Sequence, residues 1–525
     1  MAPESRIDRV RAALERRAGL VGLAIVALGG VLRARGLGTW ALNPDEGIYR
    51  AVATAPSWGE FARGLGEAAH PPFFFLLLRA LTTFGETPEW LRWPAALFGT
   101  LAIWGLFLLT RRAFGALPAL VAAAALAVSP GAITLSQLVR PYALVFALLA
   151  FGWWALLGYL ARGRRRDLWL YAGALGLALL THYGSALALA ATFGWLVLGA
   201  ATGGVQRTRW RPLALLHAGA LGLLGATYLL HFRDFRASAN PFQNMGWLEP
   251  FLPASAGELW LSFVGLHHFL FGLEFDGMAT LLTCVGLVVS FRRGAGSLGV
   301  LALIALGIGA GLAVAGLYPL GGTRHATYLF VLLLPVTAEG VHWLLSGRGL
   351  ALPAGCVALA LGVALPQLPD TLVGASKLRF GTQVERLATP EQLAALPVAE
   401  LRERPVRVLL DQQAFYFLQP LFADAVLASD APASHRRYTW GAAQLIVSRS
   451  WVLRAGSKRR DASDHVGGLL RRVREREGAA RRETWLVSAG WAPLATRGLT
   501  ERGLAEVAFA RPYGAVVRIG RTRVR

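Results

Sequence analysis

Leu42-Asn43-Pro44-Asp45-Glu46-Gly47-Ile48-Tyr49 is the stretch on which the reading of this chain turns. It stands just past the first apolar segment. Further along the same loop come His70-Pro71-Pro72 and the apolar run Phe73 to Leu78. If the first apolar segment crosses a bilayer, two carboxylates stand at the far membrane surface, in a loop that dips back towards the lipid. Carboxylates at such a boundary are costly unless they are solvated, paired or used. Pro44 sets up a helix N-terminus at Asp45 and Glu46, where acids also suit the helix dipole.

Working outward, the composition fits that placement. The 525 residues are 55% hydrophobic and 16% charged, where a soluble domain carries about a quarter charged residues. Apolar runs recur as far as residue 366, many near the roughly 20 residues that a membrane crossing needs. Transmembrane barrels are excluded, because their strands alternate in polarity. The net charge of +22 raises nucleic acid as a partner, but Arg on short cytoplasmic loops accounts for it better. The cations are Arg apart from Lys377 and Lys458. Cys284 and Cys356 lie in apolar segments, with no disulfide framework and no CxxC metal motif. The basic start before Gly19 to Leu32 lacks a small-residue cleavage site, so it reads as an uncleaved first helix.

That helix covers about residues 17–35, with Arg33 and Arg35 read as snorkelling at its outer end. Residues 36–92 form a first outer loop, in which Phe73 to Leu81 is too short to span and reads as an interfacial helix. Further spans fall at 91–110, 116–134, 139–161, 167–182, 184–203, 211–231, 277–292, 297–318, 325–346 and 349–366. With 73–81 not spanning, Arg111-Arg112, Arg162 to Arg166, Arg207 to Arg211 and Arg292-Arg293 all fall on the cytoplasmic side. The N-terminus is then cytoplasmic and the tail extracytoplasmic. Residues 232–276 read as a long outer loop. Its His267-His268, Glu274 and Asp276 lack a zinc-like spacing and read as solvated.

After residue 366 polar residues rise. Short β-like runs, Val406 to Leu410, Gln444 to Val447, Thr484 to Val487 and Ala515 to Ile519, alternate with helical stretches such as Thr389 to Ala395 and Asp464 to Glu477. That alternation predicts a small α/β domain over 367–525. The fold class is an α-helical polytopic membrane protein, residues 1–366, of about eleven transmembrane helices, with a C-terminal soluble α/β domain.

Several motifs now stand in a recognisable order. Pro44-Asp45-Glu46 follows helix one, His70-Pro71-Pro72 comes later in the loop, and Glu89-Trp90-Leu91-Arg92-Trp93-Pro94 enters the next span. Ser136-Gln137 to Arg140-Pro141-Tyr142 and Thr181-His182-Tyr183 mark further outer helix ends. Over residues 15–345 this pattern resembles the GT-C glycosyltransferases, in the branch of the protein O-mannosyltransferases and lipid A aminoarabinose transferases. The resemblance implies a GT-C fold, and sugar transfer from a polyprenyl-phosphate donor to a hydroxyl on a protein, lipid or polysaccharide acceptor at the outer face. It implies no nucleic-acid partner.

The chemistry asks for a base on the acceptor hydroxyl and cations on the leaving phosphate. Asp45 matches the family's acidic position and is the candidate general base; its alternative is helix capping. Glu46 joins it as a catalytic candidate, to bind acceptor or metal, or else as a plain first-turn acid. Arg140 is a candidate phosphate clamp, with Tyr142 beside it as a further donor. Arg324-His325 stands where related enzymes place a basic residue on the donor phosphate. His70 takes the place of a phosphate-contacting Lys in the aminoarabinose transferases, a role it fills when protonated. His182 and Tyr183 line the donor or acceptor pocket, or else close a helix end. A metal is left open; the hard oxygens of Asp45 and Glu46 suit Mg or Mn. Two other readings stand beside this one: a secondary transporter, and a non-catalytic envelope assembly protein.

Overall fold

In lipid the backbone must satisfy its own hydrogen bonds, so uninterrupted apolar runs become helices. A computed structural model gives the arrangement. It describes residues 6–66, 68, 70–203, 206–233, 251–272, 275–294, 296–346, 388–410, 412–428, 435–448, 483–489, 505–511 and 513–519.

The chain begins with α1 (Arg6–Ala34), then three short helices: α2 (Pro44–Ala53), α3 (Trp58–Gly66) and α4 (Pro72–Thr82). The bundle continues with α5 (Pro88–Phe114), α6 (Ala116–Val128), α7 (Pro130–Ser136), α8 (Tyr142–Arg162), α9 (Arg165–Thr181), α10 (Ser185–Ala201) and α11 (Arg207–Thr227). After it come α12 (Ala256–Phe271), α13 (Asp276–Arg292), α14 (Leu298–Val314) and α15 (Thr327–Leu345). Helices therefore stand over ten of the eleven expected spans; the eleventh, 349–366, lies outside the described residues. Among the described residues, five helices are long and apolar enough to cross a membrane, or up to seven if each of two bent pairs is one span. The stretch 232–276 is not simply a loop, because α12 occupies sixteen of its residues. There His267 is buried against Thr280 and Thr283, while His268 pairs with Asp276 at 3.4 Å. Glu274 lies outside the described residues.

The bent pair α6–α7 turns by 63°. Ser129 caps α7 by accepting from Ala132 N, and donates to the Leu270 carbonyl at 2.6 Å. The carbonyls left open at the end of α6 are met by Arg33. Its guanidinium donates to the Leu126 and Ala127 carbonyls at 2.8 and 3.0 Å, and to Ser136 Oγ at 3.1 Å. Arg33 is only 1% exposed, so the expectation that it snorkels is corrected. A cation suits the negative end of a helix dipole, and here it clasps a break in a neighbouring span.

The basic clusters gather at one end of the bundle. Arg112, at the end of α5, donates to the Trp154 carbonyl on α8. Arg162, at the end of α8, pairs with Asp167 at the start of α9 at 3.0 Å. Arg293 pairs with Glu339 of α15 and lies over the Phe114 ring. Tyr142 stands at the opposite end of the 21-residue α8, roughly 30 Å along the axis.

The C-terminal part holds α16 (Pro390–Ala394), β1 (Arg407–Leu410), α17 (Gln412–Phe417), β2 (Val426–Leu427), β3 (His435–Trp440), β4 (Ala443–Ser448), β5 (Thr484–Ala489), β6 (Ala505–Arg511) and β7 (Gly514–Ile519). The expected strands all appear, in a seven-stranded sheet of order β2-β3-β4-β1-β5-β7-β6. β1 runs parallel to both its neighbours, β4 and β5; the outer pairings are antiparallel. β1 and β5 are buried along their whole length, as parallel strands covered on both faces should be. The expected helix Asp464 to Glu477 lies outside the described residues.

Candidate active site

Helix α2 starts with a capping box. Asn43 Oδ1 accepts from Glu46 N, and Glu46 Oε2 accepts from Asn43 N, both at 3.0 Å. Two backbone donors are satisfied reciprocally, and Pro44 takes the first helical position without losing a bond. Capping therefore falls to Asn43 and Glu46 and leaves Asp45 free for another partner.

Glu46 is fully buried. Oε1 accepts from Arg92 Nε at 2.8 Å and from Val139 N at 2.9 Å. Oε2 accepts from Arg92 Nη2 at 2.8 Å besides its bond to Asn43. Arg92 also donates to the carbonyls of Leu37, Trp40 and Ala41. A two-pronged Arg–carboxylate pair of this kind is rigid and specific. It ties α2, the start of α5 and the segment before α8 to one point. The structure thus corrects the catalytic expectation for Glu46: its oxygens are consumed in holding the frame.

Asp45 faces the other way. Its Oδ2 lies 3.1 Å from Arg140 Nη2 and 3.0 Å from Arg324 Nη2. Its side chain keeps 19% exposure, so the carboxylate is reachable. Burial pushes its pKa up, but Arg140 and then Arg324 outweigh that and hold it below the usual carboxylate range. One acid and two guanidinium groups leave the cluster with a net positive charge.

The segment that carries Arg140 is fixed from below. Ser136 Oγ accepts from Arg33 and donates to the Ala132 carbonyl at 2.6 Å. Gln137 Nε2 donates to carbonyls at the end of α1, including Arg35 at 2.9 Å. Pro141 then opens α8. Arg324 is presented by a single 3-10 turn, Arg324–Ala326, in which Thr323 Oγ1 accepts from His325 N.

Around these charges stands a wall of rings. Arg140 lies 5.0 Å over the Tyr49 ring and 5.8 Å over Tyr142; Arg324 lies 5.9 Å over Tyr142. His182 is 5.0 Å from His70, 5.3 Å from Tyr142 and 6.3 Å from His325. Tyr318 closes the group at 6.1 Å from His325. His182 Nδ1 accepts from Gly184 N at 2.9 Å, so a neutral ring carries its proton on Nε2. Burial first, then His182, Arg140, His325 and Arg324, hold His70 well below the usual imidazole value. That favours the neutral ring, an N–H donor, over the protonated phosphate contact expected from the sequence. The buried Tyr49 Oη and Arg140 Nε have no hydrogen-bond partner among the described residues.

Asp45, Arg140, Arg324, His325, His70, Tyr142 and His182 thus converge from five separate stretches of chain. Tyr183 does not join them. Its hydroxyl donates to His231 Nδ1 at 2.6 Å, while His231 Nε2 donates to the Leu65 carbonyl at 2.7 Å. Sequence reasoning missed Arg92, Tyr49 and Tyr318. Arg92 stood within a quoted motif, and Tyr49 lies one helical turn beyond Asp45, which places it on the same face.

The residues do not fit a metal. Among the described residues no group of three or more His, Cys, Asp or Glu could hold one. Glu46 is filled by Arg92, and two guanidinium groups beside Asp45 repel a divalent cation.

With this geometry in hand, comparisons with known proteins add the fold. The family model of dolichyl-phosphate-mannose-protein mannosyltransferase matches residues 69–228. The apo crystal structure of ArnT from Cupriavidus metallidurans matches with a TM-score of 0.56 at 14% identity, over 94% of this chain and 97% of that one. The chain has the GT-C fold. The same enzyme bound to undecaprenyl phosphate matches at TM-score 0.54 and 14% identity, over 95% and 98% of the two chains. No curated protein matches in sequence. The GT-C fold and its apolar helices make the chain an integral membrane protein.

Proposed function

We propose that this chain is a membrane glycosyltransferase that moves a hexose or pentose from a polyprenyl-phosphate donor to an acceptor hydroxyl. The reaction takes place at the outer face of a bacterial inner membrane, at the bundle end opposite the Arg-rich helix ends. The N-terminus is cytoplasmic and the domain after residue 366 extracytoplasmic. The observation that carries the reading is Asp45 Oδ2 held between Arg140 and Arg324. The fold supports it, because the ArnT structure that shares it is described with undecaprenyl phosphate bound.

The steps balance without a further reactant. The acceptor hydroxyl gives its proton to the Asp45 carboxylate as its oxygen bonds to the sugar C1. The bond from C1 to the phosphate oxygen breaks, and the polyprenyl phosphate leaves with one more negative charge than the donor phosphodiester carried. Arg140 and Arg324 receive that charge. They are placed before the reaction begins, so little reorganisation opposes the step. Once Asp45 is protonated, the two guanidinium groups lose their anionic partner as the phosphate gains charge. Tyr142, His182 and neutral His70 line the sugar or the phosphate as uncharged donors.

The test is incubation of purified protein with radiolabelled polyprenyl-phosphate sugars and a membrane extract as acceptor source. Label should move to an acceptor in wild type and stay on the lipid with Asp45→Asn. Equal transfer by both proteins overturns the reading.

A further inference from the structure

The geometry points to the C-terminal sheet domain as the part that sets where Asp45 stands, with Gly47 as the positioning residue at the grip. The inference rests on the reading of Asp45 as the base.

Helix α2 is held on two sides. One residue of an α-helix turns by about 100°, so residues two apart lie on nearly opposite faces. Asp45 and Tyr49 share the face that meets Arg140. Gly47, Ile48 and Ala51 look away from it, towards the sheet domain. Ile48 and Ala51 pack against that domain's apolar cluster, which includes Ala414, Phe415 and Phe417 of α17, and Ala41 lies within the cluster itself.

The closest approach is at Gly47. A Cβ built there would stand 2.2 Å from the Tyr416 carbonyl oxygen and 2.8 Å from its carbon. The obstacle is backbone, so it cannot swing aside. Any larger residue must push α2 and α17 apart. Two polar links flank this contact. Ala41 N donates to the Ala388 carbonyl at 2.9 Å. Arg50 Nη1 donates to Gln419 Oε1 at 2.8 Å, while its Nη2 reaches Glu86 at 2.9 Å.

The domain's topology fits this use. After β1 the chain continues on the β2-β3-β4 side of the sheet, and after β5 on the β7-β6 side, which makes the carboxyl ends of these parallel neighbours the switch point, where open α/β sheets bind their ligands. α17 follows the end of β1 directly, and it is the element that meets α2. Arg140 and Arg324 are carried by the membrane bundle, and α2 meets the Arg140 segment through Glu46 and Asp45, so the grip acts on Asp45 first and on the two cations less. The domain thus governs the base more than the phosphate site.

The experiment uses the full chain with Gly47→Ala and, separately, Gln419→Ala. Three quantities are read: transfer rate at saturating donor, affinity for undecaprenyl phosphate, and hydrogen–deuterium exchange over residues 42–53 and 130–162. For Gly47→Ala the rate should fall on the order of a hundredfold, the loss that a misplacement of about 1 Å brings. Affinity for undecaprenyl phosphate should hold. Exchange should quicken over 42–53 and not over 130–162. Gln419→Ala, which adds no bulk, should move rate and exchange in the same direction by less. Unchanged rate and exchange in Gly47→Ala overturn the inference. So does a loss of undecaprenyl phosphate affinity as large as the loss of rate, which marks general damage. If wild type transfers no sugar yet both variants quicken exchange over 42–53 alone, the transferase reading fails and the grip stands.

Discussion

Asp45 and Glu46 are neighbours in the chain, yet their carboxylates belong to different systems. Asp45 meets Arg140 and Arg324 in a cluster that is partly open, while Glu46 is sealed against Arg92 and the Val139 amide. The turn of the helix separates them. Glu46 closes the capping box, which aims it back towards Asn43 and the bundle, and Asp45 one residue earlier is turned by a quarter of the circle towards Arg140, Arg324 and the rings beside them. Two identical functional groups therefore take one chemical and one architectural task.

Asp45→Asn should abolish sugar transfer, by at least the 10²–10⁴-fold that general base catalysis supplies. Expression and melting temperature should stay close to wild type, because Asn43 and Glu46 provide the cap. Affinity for undecaprenyl phosphate should hold or rise, since an anion that competes for Arg140 and Arg324 is removed. A single-turnover assay beside a binding titration checks both parts. Weakened phosphate binding with transfer intact would falsify the assignment.

Glu46→Gln should behave quite differently. It leaves Arg92 buried beside a neutral amide, and breaking a buried pair costs about 3–5 kcal/mol. The expected result is a lower melting temperature and poor expression, with lost transfer following from the damaged frame. Replacing both residues, as Glu46→Leu with Arg92→Leu, should recover part of the melting temperature, because no unpaired charge is then left inside. A Glu46→Gln protein that melts like wild type but has lost transfer would return Glu46 to the catalytic pair.

Much of this was legible in the sequence, and the reasons differ from part to part. The spans could be read because an apolar run in a weakly charged chain has few other fates. The convergence of Asp45, Arg140 and Arg324 could be read because each stands at a helix end away from the basic loops, a side the positive-inside pattern groups together. The division of labour between Asp45 and Glu46 could not, because it depends on which way a side chain leaves the first turn. Arg33 was misread for a related reason. A lone Arg at a helix end resembles any snorkelling cation until the break at Ser129 supplies open carbonyls. Arg92 stands in a quoted motif, but nothing local gives its role, since its partner lies 46 positions earlier.

The electrostatics of Asp45 give a pH prediction with a definite sign. A base must be deprotonated to act, and burial opposed by Arg140 and Arg324 leaves this one below its ordinary value. In wild type the acid limb of the transfer rate should therefore lie below about pH 4, the usual carboxylate value. Removing one cation, as in Arg324→Gln, lets burial dominate and should carry the limb upward. The same variant should weaken undecaprenyl phosphate binding. A limb that stays in place in Arg324→Gln, measured by rate against pH at saturating donor, would remove Arg324 from the cluster.

His70 provides the opposite case, a group that the fold keeps uncharged. Burial and its cationic neighbours depress its pKa well below the imidazole value, so it remains neutral where an unfolded chain titrates near 6.5. Two consequences follow. Affinity for undecaprenyl phosphate should not tighten through His70 as pH falls from 8 to 6, and His70→Gln, which keeps an N–H donor, should hold donor affinity within a few-fold, while Arg140→Gln loses far more. Stability carries the second sign. Below about pH 6.5 the unfolded state binds a proton that folded His70 refuses, so folding weakens as pH drops towards its folded value. His70→Gln should flatten the fall in melting temperature over that window. An unchanged slope, or a His70→Gln loss of affinity that grows as the medium is acidified, shows that His70 meets the phosphate as a cation after all.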